Sequence, residues 1–174
     1  MARGMKTVAW VSLMLTAIFI TIYETNSMSI ILTLAITSGV TSYHFWMRLF
    51  VGAFFKLLLN NRVDYNKKWF RVGEKEQRLY AFLRVKKWKK FFPTYDPDTF
   101  DKSKHSWREI VMAMCQAELV HESIVILSFL PIILSIWLEG AAAFVLTSVF
   151  AAVFDLIFVV IQRYNRPRVL RIIK

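Results

Sequence analysis

Four stretches of this chain are apolar for so long that they must be buried in a bilayer or in a core, and this constrains the fold more than any other feature. A helix needs about 20 mostly apolar residues to cross the hydrocarbon layer, and fewer where its flanks snorkel or the bilayer thins. The first stretch, about 7–23, contains no charge, and the turn-like Glu24-Thr25-Asn26-Ser27 separates it from the second, about 28–50. That arrangement predicts a membrane hairpin. The second run stays apolar to Leu59 but carries His44, Arg48 and Lys56, so its end is expected to emerge among the headgroups. A third span, about 124–138, is short, and 107–123 before it reads as an amphipathic helix feeding into it. The fourth, about 140–161, is interrupted by Asp155 alone. The expected fold is all-α and integral to the membrane: one domain over 1–174, four transmembrane helices, and amphipathic interfacial helices from about 61–123 on the cytoplasmic side.

A net charge of +11 ordinarily suggests nucleic acid or an anionic membrane surface, and a mean hydropathy of +0.43 selects the membrane. A single cysteine, Cys115, excludes an internal disulfide framework and any cysteine-rich zinc site. Arg3 and Lys6 before an apolar stretch resemble a secretory signal, but no small-x-small cleavage site follows Ile22, so a retained helix is expected. Positive charge is retained on the cytoplasmic side. Arg3 and Lys6 precede the first span, 14 Lys and Arg lie in 61–110, five follow Ile161, and the two opposite turns hold Glu24 and Glu139 instead. Both termini and the middle segment are therefore expected in the cytoplasm, and any chemistry in the membrane or on its inner face.

The middle segment is too short and too polar for an independent core. Leu79, Phe82 and Leu83 give 74–88 a helical spacing, and Pro93-Thr94-Tyr95-Asp96-Pro97-Asp98 reads as a loop. Between them, Arg84-Val85-Lys86-Lys87-Trp88-Lys89-Lys90-Phe91-Phe92 interleaves cations with aromatics. Such a segment suits an interfacial helix adhering to lipid phosphates, or an anion site for a phosphate-bearing substrate such as a coenzyme A thioester or a nucleotide-linked donor. Nucleic acid is not expected as a partner, because the membrane already accounts for the charge. No glycine-rich phosphate loop is present.

Ionisable residues near a bilayer are costly, so each is a functional candidate. In Met114-Cys115-Gln116-Ala117-Glu118-Leu119-Val120-His121-Glu122, Glu118 and His121 are three apart and share a helical face. A histidine oriented by a carboxylate makes a general base near neutral pH; a structural hydrogen bond at a helix entrance is the alternative. One Glu-x-x-His unit does not make a di-metal centre, and no metal is expected. Cys115 reads as a core residue, with an acyl-thioester role as the alternative. Asp155 would pair structurally with Arg48 or His44. Beyond it, Gln162-Arg163-Tyr164-Asn165-Arg166-Pro167-Arg168 supplies donors for a carboxylate, a phosphate or an oxyanion.

Ala117-Glu118-Leu119-Val120-His121, a following pair of apolar spans, and Gln162 to Arg168, together with Val85-Lys86-Lys87-Trp88-Lys89 upstream, closely resemble the glycosyl-4,4'-diaponeurosporenoate acyltransferase family of bacterial membrane proteins. The resemblance covers roughly 40–174. It implies transfer of a fatty acyl group to a sugar hydroxyl of a glycosylated carotenoid or related lipid acceptor. In that reading His121, oriented by Glu118, deprotonates the acceptor. Lys86, Lys87 and Lys89 contact donor phosphates, and Arg163, Asn165 and Arg166 stabilise the oxyanion or hold the donor, with Trp88 and Tyr164 lining the pocket. No bound cofactor is expected; the acyl donor, whether acyl-coenzyme A, an acyl-carrier thioester or a phospholipid, is a substrate. Membrane lipids and other membrane enzymes are the expected partners. The competing class is a non-enzymatic membrane subunit or lipid-binding partner.

Overall fold

The computed structural model describes residues 2–92, 94, 96–138 and 140–173. Pro93 and Tyr95 of the expected loop and Glu139 of the expected outer turn lie outside the described residues. The elements are α1 (Ala2–Asn26), α2 (Ser29–Leu59), a 3₁₀ turn (Lys68–Phe70), α3 (Glu74–Phe82), α4 (Val85–Trp88), two further 3₁₀ turns (Lys89–Phe91 and Pro97–Phe100), α5 (Trp107–Leu127), α6 (Leu130–Leu134) and α7 (Ala141–Ile173). No strand occurs among the described residues. Four helical segments are long and apolar enough to cross a membrane: Ala2–Asn26, Ser29–Leu59, Trp107–Leu134 and Ala141–Ile173. The protein is an all-α membrane protein.

The third of these differs most from its expected bounds, because the amphipathic 107–123 and the apolar run behind it form one segment. It is broken near its far end by Pro131, which sits in the first turn of α6. Proline has no N–H to donate to the carbonyl four residues earlier, which is that of Leu127. Tyr43 of α2 supplies the missing donor, its hydroxyl lying 2.9 Å from the Leu127 oxygen.

The chain divides into two compact units. The first comprises 1–52 and 123–155. Lipid tails are as apolar as leucine, so helices here associate through close packing and hydroxyl hydrogen bonds. Ile36 and Val40 of α2 pack on Ala143 and Phe144 of α7. Ser42 donates to the Ala9 carbonyl at 2.9 Å, and Thr16 to Ser38 at 3.0 Å. Gly140 opens α7 with a φ of 91°, where a β-carbon would come within 2.8 Å of Ile36 Cδ1; only glycine suits both constraints. Trp10, Met14 and Ile18 of α1 remain exposed, as a lipid-facing surface requires. Arg48 and Asp155 form the expected ion pair, nearly closed to solvent.

The second unit comprises 53–122 and 156–174. α2 ends at Asn60 and Asn61, both left-handed, and Asn61 N–H donates to Gln116 Oε1 at 2.6 Å. Two apolar clusters follow, one of Val63, Phe70 and Cys115, the other of Tyr80, Val85 and Tyr164. The expected helix over 74–88 is broken at Arg84, whose φ of 52° is left-handed. Arg84 accepts a bond from Lys87 N–H at 2.8 Å, and Trp88 Nε1 donates to the Leu83 carbonyl at 3.0 Å. The break lets Val85 turn inward and become fully buried. The interleaved basic segment is thus a one-turn helix and a 3₁₀ turn folded onto the unit, and not a continuous interfacial helix.

Candidate functional site

The second unit is organised around a carboxylate with no exposed surface, that of Glu118 on α5. A bare carboxylate buried this way would cost several kcal/mol, so it must be paired. Arg163 Nη1 reaches its Oε1 at 2.5 Å, and Arg166 Nη1 meets its Oε2. Both arginines come from α7, three residues apart and hence on one face.

Arg163 also forks onto Glu76 of α3, with Nε to Oε1 at 2.5 Å and Nη2 to Oε2 at 2.9 Å. Its remaining N–H groups go to the backbone carbonyls of Trp69 at 3.1 Å and Arg71 at 3.3 Å. A guanidinium has five donors, and all are committed. Arg166 is fully buried; its Nη2 donates to the Phe70 carbonyl at 2.5 Å and its Nη1 also lies 3.8 Å from Cys115 Sγ. Two arginines therefore grip three consecutive carbonyls, 69 to 71, and fasten the 3₁₀ turn to α5 and α7. Arg163 thus has no donor left over, and Arg166 keeps a buried Nε that makes no hydrogen bond among the described residues. Cys115 packs as a core residue beside Arg166.

Glu76 shows the electrostatic consequence. Burial would raise its pKa, but hydrogen bonds from Arg163 and Tyr80 and the nearby guanidinium charges outweigh that and hold it below the usual carboxylate range. Tyr80, whose hydroxyl donates to Glu76, is pushed up by burial and by that carboxylate.

His121 lies one turn beyond Glu118 and stacks on Phe158 of α7, ring centroids 4.8 Å apart and planes at 13°. Stacking fixes the ring plane. Phe158 meets Phe92 at 5.9 Å, and Phe92 meets Trp88 at 5.7 Å, both edge to face. A row of rings thus links His121 to the Lys-Trp-Lys block. Glu122, the next carboxylate on α5, accepts from Trp69 Nε1 at 2.9 Å.

The basic block divides in two. Lys89 turns to α7, bonding Asn165 Oδ1 and lying 5.0 Å from the centre of the Tyr164 ring; burial, then the charges of Arg168 and Lys86, lower its pKa. Lys86 and Lys87 instead line a cleft of about 430 Å³ with Arg84, Arg163, Tyr164, Arg168 and Arg171. Arg168 lies 3.5 Å over the Tyr164 ring and donates to the Tyr164 carbonyl. The structure thus brings Glu118, Arg163 and Arg166 into direct contact, and Lys89 onto Asn165. His121 is not among the lining residues of the cleft. The sequence did not single out Glu76, Phe158 or the carbonyls of 69–71, and showed Tyr80 only as part of a helical spacing. Glu76 carries no motif, and backbone acceptors leave no mark in a sequence.

The model of the glycosyl-4,4'-diaponeurosporenoate acyltransferase family matches residues 61–174. The chain belongs to that family. The matched region holds the whole Glu76–Glu118–Arg163–Arg166 network, His121 and the basic cleft, and starts later than the resemblance read from roughly residue 40. Membership makes this chain one of a family of membrane acyltransferases of carotenoid biosynthesis. No curated protein and no solved structure matches the chain.

Proposed function

We propose that the protein transfers a fatty acyl group to a hydroxyl of a glycosylated carotenoid or related lipid acceptor at the inner leaflet, with both termini in the cytoplasm. The asymmetric distribution of Lys and Arg supports the orientation. The observation that carries the reaction is the position of His121: one helical turn from the fully buried Glu118–Arg166 ion pair, its ring plane set by Phe158, at the end of an aromatic row leading to the basic block.

His121 takes the proton of the acceptor hydroxyl as its oxygen bonds to the donor's carbonyl carbon, and returns it to the leaving group when the tetrahedral intermediate collapses. Glu118 serves this base by locking α5 to α7 through Arg163 and Arg166. The arginines are positioning residues, since Arg163 spends all its donors inside the unit and Arg166 is fully buried there. Asn165, held by Lys89, keeps its amide N–H₂ for substrate. The Trp88–Phe92–Phe158 row offers an apolar wall for an acyl chain.

General-base catalysis contributes typically about 10²–10⁴-fold. His121→Ala should therefore lower turnover at least about 100-fold while membrane insertion and melting temperature stay near wild type. Lipid mass spectra from cells holding equal amounts of each protein read this directly, through a product heavier than its precursor by one acyl group. Equal product from the variant would remove His121 from the reaction; no such product from either would remove acyl transfer.

A further inference from the structure

The cleft of the second unit has a charge excess that the acyl-transfer reading alone does not use. Besides the carboxylate-bound Arg163, it is lined by Arg84, Lys86, Lys87, Arg168 and Arg171, and among the described residues by no carboxylate. Arg84, Lys86, Lys87 and Arg171 form no ion pair among the described residues. Like charges gathered without counter-charge repel one another, and a fold keeps such an arrangement where an anion completes it. Arg84 sharpens the point. A non-glycine residue at a φ of 52° is strained, and residues so held gather at ligand clamps. Arg168 is kept in place by the Tyr164 ring beneath it.

Resting on the acyl-transfer reading, we propose that the donor is an acyl-coenzyme A and that this cleft seats its 3'-phosphorylated nucleotide end. Charge counting selects it from the phosphate-bearing donors. A phosphomonoester carries about −1.5 to −2 at neutral pH; with the two acidic groups of the diphosphate, coenzyme A brings about four negative charges to the five lining cations other than the carboxylate-bound Arg163. A phospholipid or a carrier-bound phosphopantetheine brings one phosphodiester charge and leaves most of the cleft uncompensated. The volume of about 430 Å³ falls in the range of about 300–1,000 Å³ usual for small-molecule sites. In the reaction the acceptor oxygen bonds to the thioester carbonyl carbon, the carbon–sulfur bond breaks, and the proton held by His121 leaves on sulfur as the free coenzyme A thiol.

Calorimetric binding to the full chain in nanodiscs of zwitterionic phospholipid tests the site with coenzyme A, 3'-dephospho-coenzyme A and pantetheine. Coenzyme A should bind at least tenfold more tightly than the dephospho form, and pantetheine more weakly still. The Lys86→Gln, Lys87→Gln, Arg171→Gln triple variant should weaken coenzyme A at least tenfold. No binding, or equal binding of coenzyme A and pantetheine, overturns the proposal, and the ligand comparison does so without requiring any variant to fold. The by-product of turnover separates this idea from the reading beneath it. Free thiol formed in step with acylated product supports both; lysophospholipid in its place overturns the donor and leaves acyl transfer standing. Tight coenzyme A binding with no acylated product from any acceptor keeps the nucleotide site and overturns acyl transfer.

Discussion

In the first unit a half-buried guanidinium, Arg48, meets the carboxylate of buried Asp155, while Arg48 Nε and both ring nitrogens of buried His44, one turn earlier on α2, have no hydrogen-bond partner among the described residues. In the second, Arg163 has all five donors placed, Glu118 takes a guanidinium on each oxygen, and Arg166 Nε alone of these groups is left over. The same chemistry does two jobs. A pair with orphaned neighbours pins two helices at one point, whereas a nearly saturated network also fixes a backbone turn, and with it the geometry around His121. The family match follows this division: it contains every member of the second network, and of the first pair Asp155 but not Arg48.

The contrast is broken most forcefully by Glu118→Gln. Removing one partner of a buried charge pair costs about 3–5 kcal/mol, because the other charge stays buried and unpaired. Here two guanidinium groups lose it, so the variant should sit at the top of that range, read as a steep fall in detergent melting temperature and in activity. Asp155→Asn should come next, near about 3 kcal/mol, since Arg48 keeps carbonyl acceptors at His44 and Ala151. The same melting assay checks it, and a cost equal to that of Glu118→Gln would erase the distinction drawn between the units. The smallest effect is acid sensitivity. Glu76 lies below its unfolded value of about 4.3, so its stabilisation is complete above that pH and is lost as pH falls through the folded value. Melting temperature should therefore decline more steeply below about pH 4.3 in wild type than in Glu76→Gln. Parallel acid profiles would show that the fork from Arg163 adds nothing to stability.

The four apolar segments, the shared face of Glu118 and His121, and the polar string after Gln162 were legible because each is a pattern of side chains at fixed spacing. The direct meeting of Glu118 with Arg163 and Arg166 in the second unit follows from complementary charge. What stayed hidden depends on backbone. The acceptors at 69 to 71 are carbonyls that every residue carries, and the break at Arg84 sits at a residue with no bias toward a left-handed φ, so 74–88 read as one helix. Glu76 looked like any solvated glutamate at a helix start until Arg163 reached it. Arg163 and Arg166, in turn, were visible as donors, but nothing in their spacing showed that Arg163 would spend all its donors internally or that Arg166 would be fully buried.

The grip on the turn also sets a timetable for synthesis. Arg163 and Arg166 bond to carbonyls that lie 92, 94 and 96 positions earlier in the chain. At ribosomal speeds of about 5–20 residues per second, that interval lasts roughly 5–20 s. For all of it the 68–70 turn lacks the groups that will hold it, and the Glu118 carboxylate, 45 and 48 positions before its two arginines, waits about half as long. The helix that locks the second unit, α7, follows every other element of that unit in the chain, so assembly of the site waits until α7 has been made.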